Sequence, residues 1–210
     1  MGRHSPARMP RAGTLSRRLR AILAGGLVLG VGAAVTLAAW TDQENGSGSF
    51  TASVFNTESS IDRATWAHNT NPAVATFTAA TGMSPTVSTF APFNIRTTAT
   101  TSVDGSVVLS AITRSGTLTD VLEYRIARLA TVTTVCNATN IASGTFILGG
   151  GSTWVAATAA LPGSPVSSAI TAAGGELRYC IDVRIASGAA NSYQGANGTL
   201  TWTFTATSSS

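Results

Sequence analysis

The clearest hydrophobic pattern lies near the C-terminus. Leu177, Tyr179, Ile181, Val183 and Ile185 alternate with Glu176, Arg178, Cys180, Asp182 and Arg184. A period of two sustained over ten residues fits a strand rather than a helix. It predicts one apolar face and one polar face, with Cys180 on the polar side. Leu200, Trp202, Phe204 and Ala206 alternate in the same way with Thr199, Thr201, Thr203, Thr205 and Thr207. That strand turns two aromatics toward a core and a threonine ladder outward. Leu122, Tyr124 and Ile126, alternating with Glu123 and Arg125, predict a third half-buried strand.

Weaker patterns fill the rest. Phe50, Ala52 and Val54 predict a first strand over 48–56. Residues 57–71 are polar and hold Trp66 and His68, the latter expected in a solvated loop. Residues 72–78 and 90–101 read as extended, with Pro92 marking an edge or entry. Between them, 79–89 reads as a loop. Asp104-Gly105 is a tight-turn signal, expected to join the preceding strand to one over 106–112. Residues 145–148 form a short apolar strand closed by Gly149, Gly150 and Gly151. Residues 154–161 suit a strand or a brief helix, and Pro162, Gly163 and Pro165 break either. About eight to ten short strands with Gly, Pro and Ser turns predict a single all-β domain, a β-sandwich or jelly roll.

The N-terminus has a different pattern. Residues 1–20 are basic and aperiodic, with a start at Met1 or Met9. Residues 21–39 are an uncharged apolar run with four glycines and a small-residue end. A basic region of 1–20 followed by an apolar region of 21–38 predicts a signal-peptide helix over 1–38; a retained membrane anchor is the alternative. Charge then divides unevenly. Six of the thirteen arginines precede residue 21; seven arginines against nine carboxylates leave the remainder at −2. The overall +4 therefore belongs to the leader, and no basic patch suggests nucleic-acid binding. An exported chain with two cysteines, Cys136 and Cys180, predicts one disulfide; two free thiols are the alternative. With Cys180 on the polar face, that bridge would tie a surface segment to the outside of a sheet.

The run ending Leu37-Ala38-Ala39-Trp40-Thr41-Asp42, followed by Phe50-Thr51-Ala52 and Val54-Phe55-Asn56, resembles the start of the TasA/camelysin family. Asn191-Ser192-Tyr193-Gln194-Gly195 and the alternation from Leu200 to Ala206 resemble its closing segment. Residues 57–190 show no such match. The resemblance implies a jelly-roll-like antiparallel sandwich over 50–207 with a polar tail at 208–210. It implies cleavage by a SipW-type signal peptidase between Ala38 and Ala39. It further implies fibres built by donor-strand exchange. The donor would be residues 39–49, with Ala39, Trp40, Thr41 and Asp42 as its N-terminus and Trp40 as its one large anchor.

No catalytic constellation is legible. Beyond the leader stands one histidine, His68, without the HExxH spacing of a zinc protease, the activity described for camelysins. Two small polar clusters, Asp42-Gln43-Glu44-Asn45 and Glu58 with Asp62 and Asn69, are the nearest approach to a calcium site. Asp120 and Glu123 are the nearest approach to a carboxylate pair. No catalytic, cofactor or metal residue is therefore expected. Trp66 and Trp154 suit either packing or a carbohydrate platform. The expectation is a secreted structural protein of the cell surface or biofilm matrix, whose partners are its own copies or other matrix components. The alternatives are a monomeric adhesin or carbohydrate-binding module and, remotely, a metalloprotease.

Overall fold

The computed structural model describes residues 52–69, 73–78 and 82–209. The signal-peptide reading of 1–38, the Ala38–Ala39 cleavage point and the 39–49 segment with Trp40, Thr41 and Asp42 lie outside them. The strands are β1 (Thr57–Ser60), β2 (Ala67–Asn69), β3 (Ala73–Thr78), β4 (Thr89–Thr97), β5 (Gly105–Ser115) and β6 (Leu122–Arg128). They continue as β7 (Thr145–Leu148), β8 (Val155–Ala156), β9 (Ser168–Ile170), β10 (Glu176–Ile185) and β11 (Thr199–Ser208). One short helix, α1 (Ala138–Ala142), lies between β6 and β7.

All strand pairs are antiparallel. One sheet runs β2-β1-β4-β10-β6-β7, with β8 also on β6; the other runs β3-β11-β5-β9. Setting aside β1, β2 and β8 leaves the four-stranded layers β4-β10-β6-β7 and β3-β11-β5-β9. Consecutive strands of this set change sheet except at β6–β7, which is the strand order of a jelly roll. The fold is an all-β sandwich.

In β6, β10 and β11 the inward faces are those the alternation specified, and β3, β4 and β5 complete the core. Phe93, Ile95, Leu122, Tyr124, Ile126, Tyr179, Ile181 and Val183 meet Phe77, Val107, Leu109, Leu200, Trp202 and Phe204. Aromatics bridge the layers: Phe204 lies 4.9 Å from Tyr179 and 5.2 Å from Phe93, and Trp202 lies 5.4 Å from Tyr124 (ring centroids). Offset and edge contacts of this kind add to the area buried. Burial pushes the phenols of Tyr124 and Tyr179 up to about 12.

Four sequence expectations need correction. Of the strand expected over 48–56, residues 48–51 lie outside the described residues and 52–56 are not strand; the first described strand is β1. Within the described part of that stretch, Val54 and Asn56 are held by the side chains of Ser102 and Thr101. Their partner, 98–102, is a turn rather than a strand, so hydroxyls stand in for ladder groups. Second, Asp104-Gly105 forms no hairpin, because β4 and β5 belong to different sheets. Asp104 instead accepts from the Ala172 and Ser209 backbone N–H groups. Gly105 is required by close approach: a Cβ there would sit 2.5 Å from the Phe55 ring and the Thr207 carbonyl. Third, His68 lies in β2 opposite Glu58, not in a loop. Fourth, the outward face of β10 is covered at its centre.

That cover follows from the disulfide. Cys136 and Cys180 are bonded, with Cα atoms 5.2 Å apart. The bridge ties the β6–β7 connection to the outside of β10, as the alternation implied. It also seats α1 there, so that Cys180, Ala127, Leu129 and Ile141 form a second buried cluster. Asn137 caps α1 by accepting from the Asn140 backbone N–H. Pro92 sits opposite Cys180 in β4, beyond the last residue that pairs with β1. Thr97 donates toward the β10 side, so alternation sends the missing Pro92 donor to the unpaired side.

Candidate functional site

The outward face of the larger sheet carries cross-strand charge pairs. His68, Glu58, Arg96 and Glu176 are neighbours in register across β2, β1, β4 and β10. Arg96 contacts Glu58 at 2.7 Å, and Arg63 meets Glu176 in a two-pronged pair at 2.6 and 3.0 Å. Near the other end of β10, Arg184 meets Glu123 at 2.5 Å and Arg125 meets the buried Asp182 at 3.0 Å. Burial pushes the Asp182 carboxyl up, opposed by its bond to Arg125. Each of these carboxylates is engaged by an arginine, while Asp182 Oδ1 is left without a hydrogen-bond partner among the described residues. Asp120 is held by Arg114 and Glu123 by Arg184.

Two tryptophans, Trp66 and Trp154, belong to this face. Trp66 is half-buried under Arg96, 4.0 Å from its ring, and donates to the Arg63 carbonyl. Trp154 is half-buried between Arg184 at 3.7 Å and Arg125 at 4.5 Å. Arg125 also donates to the Gly150 and Gly151 carbonyls, which fixes the glycine loop beside the ring. Arg96 pairs with Glu176 at the first residue of β10, whereas Arg184 is near its last. The two rings therefore sit at opposite ends of that strand, each stacked by arginine. They do not form one platform.

The polar clusters are likewise structural where described. Asp62 accepts from Ser60 Oγ and from the Ala64 and Thr65 backbone N–H groups. Those backbone bonds hold its carboxyl below the usual 3.8. Among the described residues no three His, Cys, Asp or Glu side chains gather closely enough to hold a metal ion. No described helix is long and apolar enough to cross a membrane. The disulfide is of the kind that persists in oxidising compartments.

One sheet edge is left open over a long run among the described residues. β5 pairs with β11 along its whole length, from Gly105 to Ser115. On its other side β9 covers only Gly105, Ser106 and Val107. Residues 108–115 thus meet no strand on that side among the described residues. Eight residues span about 26 Å of edge. A groove of about 410 Å³ runs beside its far half, walled by Ala111, Ile112 and Arg114 on one side and residues 157–161 on the other. Ile112 reaches inward and packs against the core. Ser110 makes a bulge: the register slips opposite Thr203 and Phe204, and its hydroxyl donates to the Thr203 carbonyl. A bulge and the charged Arg114–Asp120 pair limit indiscriminate pairing at this edge. Sequence reasoning missed the edge, because it depends on how short β9 is and on which strand β9 joins.

Protein-family models, curated proteins and solved structures all return no match to this chain.

Proposed function

We propose that this chain is an exported structural protein of the cell surface or extracellular matrix, and that its copies associate through the β5 edge. The observation that carries this reading is the run 108–115, which no strand among the described residues covers on that side, with its flanking groove. An open edge supplies backbone donors and acceptors, and a groove beside it accepts alternate side chains. Residues 39–49 are the proposed occupant, donated by a second copy. Eleven residues reach at most about 36–40 Å when extended, enough for an edge of this length. The leader pattern and the disulfide support export to an oxidising compartment. The arginines and carboxylates of the sheet face are paired with each other, which favours a structural role over catalysis.

The test compares protein beginning at Ala39 with protein lacking residues 39–49 and with an Ile112→Pro variant. Size is followed by light scattering as concentration rises. The reading expects growth for the first alone. A monomer at every concentration, or equal growth by all three, sinks it. Chelator-sensitive peptide hydrolysis by purified protein would instead support the metalloprotease reading.

A further inference from the structure

A second cavity lies at the end of the sandwich where β10 finishes at Ile185. It measures about 550 Å³, within the range of small-ligand sites. Its floor is apolar: Met83, Leu118, Ile185 and Ala196. Its rim carries Asn191, Tyr193, Gln194 and Asn197, and no charged side chain lines it among the described residues. Among the described residues, the amide side chains of Asn191, Gln194 and Asn197 make no hydrogen bond. They are exposed, while the Tyr193 ring is half-buried against the core.

The rim is held by its own backbone. Tyr193 donates to Ala190, Gln194 to Asn191 and Ala196 to Tyr193, each at 3.1 Å. Leu118 donates to the Asn197 carbonyl at 2.9 Å, which ties the rim to the floor. Gly195 has φ +75, a left-handed value that lets the chain turn between Gln194 and Ala196. The amides are therefore presented on a fixed turn, and little ordering remains to oppose binding.

We infer that this cleft binds a neutral saccharide, with Tyr193 and the apolar floor against the C–H face of a ring and the three amides on its hydroxyls. An amide offers two donors and an acceptor, which matches hydroxyls that both give and receive. A charged ligand would enter an apolar pit with no opposite charge to meet it, at a desolvation cost. The site is separate from the β5 edge and does not depend on self-association.

The probes are maltohexaose, cellohexaose and chitohexaose, with hexagalacturonic acid as the charged counterpart. Binding to the domain is measured by titration calorimetry and by ligand-observed saturation-transfer NMR. At least one neutral hexamer is expected to bind. Tyr193→Ala should weaken it about tenfold or more, a loss of about 1.4 kcal/mol. Gln194→Ala and Asn191→Ala should weaken it severalfold while leaving the melting temperature unchanged, since those side chains hold nothing else. Trp66→Ala and Trp154→Ala should leave affinity unchanged. The inference is overturned if no neutral hexamer binds, or if the acidic hexamer binds as tightly. It is also overturned if the tryptophan variants lose binding while Tyr193→Ala, Gln194→Ala and Asn191→Ala retain it.

Discussion

Reducing the Cys136–Cys180 bridge should cost the domain a large part of its stability. The two cysteines are 44 residues apart in sequence. Closing a loop of that length removes unfolded-state entropy worth about 4 kcal/mol in the chain-entropy model. Reduction leaves both sulfurs in place, so the second cluster of Ala127, Leu129, Ile141 and Cys180 opens no cavity in the folded state. The cost is then mainly the lost cross-link. For a domain of this size each kcal/mol moves the melting temperature by about 2–4 °C, so the expected drop is roughly 8–16 °C. The assay is calorimetry of oxidised and reduced protein, with thiol counting to confirm each state. Limited proteolysis should locate the first cleavage in the β6–β7 connection, where Val135 is exposed and the bridge was the main tether. A drop below about 3 °C would show that α1 and its neighbours hold without the bridge, refuting the reasoning.

Three further outcomes follow from the core. Gly105→Ala should destabilise by about 1–3 kcal/mol in denaturant titration, because the new Cβ meets the Phe55 ring and the fixed Thr207 carbonyl. Phe204→Ala should cost about 3–5 kcal/mol, since that ring touches both Tyr179 and Phe93 across the layers. Tyr124 and Tyr179 should ionise together near 12 in an absorbance titration. Their folded values lie above the ordinary 10, so the stability they contribute is present below pH 10 and is lost as pH rises toward about 12.

Legibility in the sequence tracked how much of each element is decided locally. β10 and β11 were readable because long alternating runs lie in the middle of their sheets, buried on the inner face. β1 was not. Its sequence is Thr-Glu-Ser-Ser, and the positions it buries are Thr57, Ser59 and Ser60. Small hydroxyl residues beside β4 satisfy the sheet without an apolar signal. Cys180 and Asp182 were placed on the correct face, yet both are buried there, because α1 and the glycine loop come from distant sequence. The Asp104-Gly105 signal was real as a chain reversal and misleading as a hairpin, since the reversal carries the chain into the other sheet. The cleft proposed for a saccharide joins a legible turn, Tyr193-Gln194-Gly195, to Met83, Leu118 and Ile185, which nothing in the local pattern brings together. The β5 edge is the least legible feature: alternation can specify a strand, but the length of its neighbour is a property of the whole sheet.

Hydrogen exchange at β5 tests the assembly account most directly. Amides in 108–115 that point away from β11 should exchange quickly in protein lacking residues 39–49. In protein beginning at Ala39 they should become protected as concentration rises. Equal exchange in both would contradict pairing at this edge. Protection that is independent of concentration would show that the segment folds onto its own subunit, and would contradict exchange between copies.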